Sequence, residues 1–431
     1  MKTKLERIAK ISEERPKEIF TSIYHLINKE LLIECHKELN GKKAKGLDGV
    51  TKQEYEKELE QNIDKLVNKL KNKSFKPSPA KRVYIPKANG KQRGLAIAIY
   101  EDKIVQLALK KIIEAIYEPK FLNCMFGFRP NKGCHDAIKA LNQNIEKGKV
   151  SYIVDADIKG FFDHVDHKWL IRCLEQHIKD PNIIKLINKF LKAGIIENKR
   201  YYGTNEGTPQ GSILSPVLAN IYMHYVLTLW FEKKIRLNFK GESYITVYAD
   251  DFVCCFQYKN EAEIFIKRLL PDRLRKFKLE LAQDKTRLIK FGRFAQMDCK
   301  KGKPETFDFL GFTHYCSKSK EGKFRVKRKT SRKKLKSKIK ELRIWLKENN
   351  KLKIKELIPK INVKLRGHYQ YFGITDNYES IKRYLYEIDK ILFKHLNKRS
   401  QRKSYTYETF REMKKTYPLI QPKIYVNIYD I

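Results

Sequence analysis

The sequence predicts an α+β body followed by an all-helical C-terminal region. Three observations lead there. Strand-like and helix-like runs are intermingled up to about residue 314, and only helical patterning follows. The composition shifts after Cys316, where residues 317–350 hold 15 Lys and Arg against three acids. At 431 residues the chain is too long for one core, so two or three subdomains are expected.

Taken in order, residues 1–75 read as charged helices, interrupted by a glycine-containing loop at Lys43–Val50. Residues 81–97 read as two strands around a turn at Asn89-Gly90, a strong hairpin signal. Lys81, Arg82, Lys87, Lys91 and Arg93 cluster on that hairpin. They fit a solvated basic edge as well as a finger that grips a triphosphate. Residues 102–117 place Ile104, Val105, Ala108, Leu109, Ile112, Ile113 and Ile116 on one helical stripe. A loop at Gly127–Gly133 leads to a helix near 134–147, and residues 151–157 form a short apolar strand ending in acids. Residues 167–199 read as helical. The loop Gly207–Ser212 opens a helix from about Pro216 to Trp230. Two apolar runs, Tyr244–Val247 and Phe252–Phe256, meet at Tyr248-Ala249-Asp250-Asp251 and read as buried strands joined by a tight turn. A helix from Asn260 to Phe277 and a strand over 307–314 complete the body. Within 317–350, Leu335, Ile339, Leu342 and Leu346 recur at helical spacing after a Thr330-Ser331 start, which predicts a folded helix with a basic outer face. Further helices are expected near 353–374 and 377–397.

Lys and Arg outnumber Asp and Glu by 92 to 50, a formal charge of +42. Such an excess strains a compact fold and normally implies a polyanionic partner. The 24 Tyr and 23 Phe argue against a histone-like or ribosomal protein and for an aromatic-rich nucleic-acid-binding chain. None of the eight cysteines falls in a C-x-x-C pair, so neither a zinc module nor a disulfide scaffold is indicated. The charged N-terminus shows no signal peptide, and no apolar run approaches a membrane span. A soluble, cytoplasmic chain with no membrane partner is expected. The sequence specifies no oligomeric state.

Adjacent carboxylates between buried strands are electrostatically expensive, because like charges repel and neither is well hydrated. An Asp-Asp turn can be plain turn chemistry, or a divalent cation can remove the cost. Asp157 also ends an apolar strand. Two such strands side by side would bring three carboxylates to one edge, the minimum for two Mg²⁺ ions roughly 3.5–4 Å apart. On composition alone Asp155, Asp157 or Asp163 could supply the third ligand, and Asp157 could equally cap a helix.

The motifs Asp157-Ile-Lys-Gly-Phe-Phe-Asp163, Gly207-Thr-Pro-Gln-Gly-Ser-x-x-Ser-Pro216 and Tyr248-Ala-Asp-Asp251 resemble, in order, those of a reverse transcriptase palm. Ile85-Pro-Lys87, Arg93-Gly-Leu and Gly127-Phe-Arg-Pro130 resemble finger motifs of the group II intron branch. That branch is also suggested by Gln283-Asp-Lys-Thr286 and Phe309-Leu-Gly-Phe312. Leu365-Arg-Gly-His-Tyr-Gln-Tyr-Phe-Gly373 and Arg399-Ser-Gln-Arg402 resemble its maturase-specific thumb. The likeness spans roughly residues 20–425. It implies a right-hand polymerase: an N-terminal extension and start of the fingers over 1–75, fingers and palm over 76–314, a helical thumb or maturase domain over 315–405, and a short tail over 406–431.

The resemblance implies a role for each matched residue. Asp157, Asp250 and Asp251 would bind two Mg²⁺ ions, with Mn²⁺ a substitute, and the carbonyl of Ile158 would complete the shell. Lys87 and Arg93 would hold the dNTP triphosphate. Phe162 would reject a ribose 2′-hydroxyl, and Gln210 would touch the incoming sugar. Lys285 would act near the leaving pyrophosphate, or else be an ordinary surface lysine. Arg129, Arg328, Lys329, Arg332, Lys333, Lys334 and Arg366 are the candidate contacts to nucleic acid. Expected partners are group II intron RNA and other RNA templates, a DNA primer or target, and dNTP. The chain shows no H-N-H arrangement or paired cysteines of the DNA endonuclease found in many relatives, so second-strand cleavage is not expected and priming would come from another strand. The implied function is an RNA-directed DNA polymerase that also binds its intron RNA to assist splicing. The alternatives are a splicing-only RNA-binding maturase and a domesticated or defence-associated enzyme of group II origin; retron and diversity-generating enzymes fit less well.

Overall fold

The computed structural model describes residues 2–86, 90, 92–298, 304–399 and 404–429. Lys87, Asn89 and Lys91, expected on the hairpin, and Ser400, Gln401 and Arg402 of the last motif lie outside the described residues.

Eleven strands among the described residues are numbered in chain order: β1 (Ala80–Pro86), β2 (Gln92–Ile97), β3 (Tyr152–Asp157), β4 (Ile195–Glu197), β5 (Arg200–Tyr202), β6 (Ser243–Tyr248), β7 (Asp251–Phe256), β8 (Arg287–Lys290), β9 (Phe307–Phe309), β10 (Phe312–Lys318) and β11 (Phe324–Thr330). They form three sheets, in the orders β2-β1-β4-β5, β6-β7-β3-β8 and β11-β10-β9. The chain divides into two compact units.

The first unit comprises residues 1–133, 154–254 and 260–287. Its central helix is Tyr100–Tyr117. The stripe read from the sequence is its buried face, with Ile104, Val105, Ala108, Leu109, Ile112, Ile113 and Ile116 all fully covered. The N-terminal helix Lys2–Glu14 is fastened to it by Ser12, whose hydroxyl donates to the Ile116 carbonyl at 2.6 Å. The helix Leu59–Lys71 buries Ile63, Leu66, Val67 and Leu70 on one face. The β1–β2 hairpin forms as expected, with Lys81 opposite Ile97 and Ile85 opposite Arg93.

The expected helix over 167–199 is instead two helices, His167–Leu174 and Pro181–Leu191, and a hairpin. Asp180 makes the break. One carboxylate oxygen caps the second helix through Asn182 N at 2.9 Å, and the other accepts from Ile23 N and Tyr24 N at 2.7 and 2.8 Å. The turn between β4 and β5 uses Asn198 and Lys199, both with positive φ, the geometry that follows the strand twist in two-residue hairpins. The helix expected from Pro216 runs as Ser215–Met223 and continues through π-type turns at His224–Thr228 and Phe231–Ile235 to Asn238.

The second unit comprises residues 134–153, 255–259 and 288–431. Here the expectation of helices alone after 314 is corrected. β10 continues to Lys318 and pairs antiparallel with β11, Phe312 opposite Thr330. Val326, Arg328 and Thr330 alternate into the interior, while Lys329 faces out. The helix begins only at Arg332, capped by Ser331. Helices Arg332–Glu348, Ile354–Phe372, Tyr378–Asn397 and Tyr407–Thr416 then enclose one apolar core that includes Leu342, Leu357, Ile361, Ile388, Leu392 and Phe410. No helix among the described residues is long and apolar enough to cross a membrane.

Candidate active site

In the first unit Asp157 ends β3, Asp251 begins β7, and Asp250 sits in the turn that joins β6 to β7. Since β7 lies between β6 and β3, the Asp-Asp turn and the end of β3 fall on neighbouring strands of one sheet. The turn is tight: Ala249 takes a positive φ of 59°. Gly127 presses against it so closely that a Cβ there would lie 2.2 Å from Ala249 N. The segment 124–127 runs beside β6, with Val247 N donating to Cys124 O at 2.8 Å and Phe126 N to Val247 O at 2.9 Å. Asn220, almost fully buried, donates its side-chain amide to Gly127 O at 2.8 Å. The motif reading missed Asn220. Its signal was a polar residue inside the otherwise apolar helix segment Val217–Tyr222.

Burial pushes the Asp250 carboxyl above its ordinary range, and the nearby Asp157 charge adds to that; Arg93 and Lys285 pull the other way. Four residues inferred from separate motifs therefore share one electrostatic neighbourhood. The Lys285 ammonium contacts an Asp157 carboxylate oxygen directly, and this hydrogen bond raises the lysine's pKa. Asp155 has a different partner, Arg287, at 3.1 Å, and Asp163 is exposed beyond the strand end. Ile158 forms an isolated bridge with Leu281, whose bonds run from the residues on either side: Ala282 N to Asp157 O and Lys159 N to Glu280 O.

The loop carrying Gln210 is strapped at both ends. Gly207 N donates to Val165 O and Thr208 N to Phe162 O, while His167 Nε2 donates to Gly207 O at 2.7 Å. Gly207 has φ 81°, and a Cβ there would meet Asp163 O at 2.7 Å, so glycine is required. At the other end Ala96 N donates to the Gln210 carbonyl at 2.6 Å, which ties the loop to β2 three residues beyond Arg93. Phe162 is half-buried, edge-on to Phe161 and Phe128 at centroid distances of 5.4 and 6.5 Å. Phe128 is a second aromatic of this wall that the motif reading did not single out. A cleft of about 510 Å³ borders Leu95–Ile97, Tyr100 and Gly211–Ile213.

Among the described residues no group of three acids, histidines or cysteines is gathered as a ready-made metal cage. Mg²⁺ is usually held by one or two carboxylates and completed by substrate phosphates. A half-buried Asp250 coupled to Asp157, with an ammonium resting on Asp157, is a donor set that attracts cations and fits that mode.

Two of the expected nucleic-acid contacts are corrected. Arg129 is buried and donates to Glu118 Oε1 at 2.8 Å and to the carbonyls of Leu122 and Met125, so it braces its own loop. Arg328 is fully buried in the second unit, bonded to Asn142 Oδ1 at 2.7 Å and to Val326 O, with Asp376 at 3.9 Å. Lys329, Arg332, Lys333, Lys334 and Arg366 are exposed.

Comparison with known proteins agrees with this geometry. Residues 85–314 match the reverse transcriptase (RNA-dependent DNA polymerase) family, and residues 332–417 match the group II intron maturase-specific domain. The group II intron-encoded protein LtrA of Lactococcus lactis subsp. cremoris is 39% identical over 244 residues, 56% of this chain and 40% of that protein. An uncharacterized 91 kDa protein in the cob intron of Schizosaccharomyces pombe is 36% identical over 249 residues, 55% of this chain and 30% of its own length. Protein YkfC of Escherichia coli is 34% identical over 187 residues, 43% of this chain and 49% of its own. The aligned stretches thus cover less than half of these curated relatives. With Asp157 and the Asp250-Asp251 turn on neighbouring strands of one sheet and more than half its length matched, the chain belongs to the reverse transcriptase (RNA-dependent DNA polymerase) family and carries a group II intron maturase-specific domain.

Proposed function

We propose that this protein is an RNA-directed DNA polymerase that also binds group II intron RNA, assisting its splicing and copying it into DNA. The observation that carries the polymerase reading is that the Asp250-Asp251 turn and Asp157 lie on neighbouring strands of one sheet, with the Lys285 ammonium on Asp157. The reading places Arg93, whose charge also bears on Asp250, as the triphosphate-binding cation of the same site.

In this reading Asp157, Asp250 and Asp251 donate carboxylate oxygens, and the Ile158 carbonyl is a further donor. Two Mg²⁺ ions, or Mn²⁺ in their place, would lower the pKa of the attacking 3′-hydroxyl and neutralise the leaving pyrophosphate. Arg93 orients the triphosphate through charge-assisted hydrogen bonds, together with Lys87. Gln210 touches the sugar, and Phe162 excludes a 2′-hydroxyl by bulk. Lys285 exchanges its contact with Asp157 for the pyrophosphate and holds a proton at Nζ for it. The cleft lined by Leu95–Ile97 and Gly211–Ile213, next in sequence to Arg93 and Gln210, is the candidate space for the templating nucleotide. Fingers and palm occupy 76–314 and the thumb region 315–405. The exposed Lys329, Arg332, Lys333, Lys334 and Arg366 contact RNA phosphates.

Primer extension on poly(rA)/oligo(dT) with Mg²⁺ tests the reading. The wild type extends the primer and Asp250→Ala does not. Extension that survives Asp250→Ala overturns the metal assignment. A wild type that binds RNA without extending leaves a splicing-only maturase.

A further inference from the structure

The helix Tyr378–Asn397 buries Ile381, Tyr384, Ile388, Ile391 and Leu392 against the core of the second unit. Its opposite side carries Tyr378, Lys382, Tyr386 and Lys390, each four residues after the last, so that neighbours along this row stand side by side on the helix surface. Both tyrosines project into solvent, Tyr378 at 44% and Tyr386 at 57% exposure. The Lys390 ammonium lies over the Tyr386 ring, 4.2 Å from its centroid, and braces it. The row does not stop at the helix. Tyr407, 64% exposed, stacks on Phe393 at 4.6 Å between centroids and lies close enough to Lys390 for the two to interact electrostatically. Lys394 and Arg383 are exposed on the same side, against the acids Glu379 and Glu387.

Single exposed aromatics are ordinary, but three tyrosine rings interleaved with lysines are not the usual way to solvate a helix. The expected phosphate contacts lie elsewhere, on β11, on the helix Arg332–Glu348 and at Arg366; among them Lys329 lies over the half-buried Tyr315 ring, but they form no row of exposed tyrosines. Alternating rings and ammonium groups match a chain that alternates flat bases and phosphates. Bases in a duplex are already stacked and cannot use the rings; unpaired bases can.

We propose that the face formed by Tyr378, Lys382, Tyr386, Lys390 and Tyr407 binds unpaired nucleic acid by stacking bases on the tyrosines while the lysines take the intervening phosphates. This extends the RNA-binding reading above by assigning it a second surface and a preference for single strands. It does not depend on polymerase activity, so primer extension by the same variants separates a failure here from a failure of that reading.

Fluorescence anisotropy with the full chain, using oligo(rA), oligo(dA) and a blunt RNA duplex as probes, tests it. Tyr386→Ala and Tyr407→Ala should each weaken oligo(rA) binding roughly five- to one-hundred-fold and leave duplex binding within about twofold. Tyr386→Phe keeps the ring and should restore binding, which a lost hydroxyl contact or a lost fold would not do. A parallel loss on oligo(dA) assigns the face to single strands of either sugar, and a loss confined to oligo(rA) assigns it to RNA. Single-strand binding unchanged in Tyr378→Ala, Tyr386→Ala and Tyr407→Ala overturns the proposal, as does an equal loss on duplex. The first outcome leaves the face to a protein partner.

Discussion

Asp102 is the carboxylate whose setting is most at odds with its charge. It is buried at the first turn of the central helix, where one oxygen accepts from Ser78 N at 2.9 Å and the other has no partner. Burial pushes its pKa up to about 7 from the ordinary value near 3.8. The folded state therefore holds the proton more tightly than the unfolded chain does. The stability this gives is fully present below the ordinary carboxylate range and is lost as pH rises towards 7, at up to about 1.4 kcal/mol per pH unit. Asp102→Asn keeps an acceptor for Ser78 and carries no charge, so it should raise the melting temperature above neutrality and flatten the pH dependence. Melting curves of the two proteins at several pH values check this; parallel curves would remove Asp102 from the account. At the active site, Phe162→Ala should admit ribonucleotides, measured as single-nucleotide incorporation of rNTP against dNTP. Arg93→Ala should raise the apparent KM for dNTP far more than it weakens template binding, because Arg93 is exposed on β2 and is the proposed triphosphate contact. The aspartates were legible in the sequence because they interrupt apolar strands. Arg129 and Arg328 were misread because a guanidinium looks the same in sequence whether it meets a phosphate or a ring of carbonyls. Only folding brings Asn142 to Arg328, 186 positions away.

At the scale of elements, what could be read followed from local chemistry. The β1–β2 hairpin had its turn signal, and the β6–β7 hairpin had two apolar runs around its acids. What escaped lacked such signals. The β4–β5 turn is Asn198-Lys199 rather than a glycine pair, so its positive φ values were hidden. β11, Phe-Arg-Val-Lys-Arg-Lys-Thr, alternates inward and outward, but one of its inward residues is Arg328 and the period of two reads as a charge run. Gly127 shows the same limit at closer range. Its motif was visible, but its reason was not: the backbone of 127 lies against the Ala249 turn with no room for a methyl group. Gly127→Ala must push that turn aside and carry Asp250 with it. Displacement of a reacting group by about an ångström can cost on the order of a hundredfold in rate. The expected result is a large fall in kcat for primer extension with template affinity within a few-fold of wild type. Normal kcat in Gly127→Ala would mean that the turn yields without cost.

For the whole molecule the governing quantity is the charge of +42, which no arrangement of 50 acids can offset internally. Binding to a polyanion releases its condensed counterions, so affinity for intron RNA should fall linearly on a log–log plot against salt, and a flat plot would count against the maturase role. The structure divides the basic residues into those that can contribute to that slope and those that cannot. Lys333 and Lys334 are exposed, so replacing either with Ala should reduce the slope by about one and leave thermal stability nearly unchanged. Arg328 is sealed beside Asn142, Asp376 and the Tyr429 ring. Arg328→Ala should leave the salt slope of the protein that remains folded at its wild-type value. It should nonetheless lower stability, because the mutation empties a fully buried site and removes the hydrogen bond to Asn142 and the contact with the Tyr429 ring. Salt titration and thermal melting of the two kinds of variant thus separate charges that grip RNA from charges that hold the fold. A shallower slope in Arg328→Ala would place that guanidinium on the RNA after all.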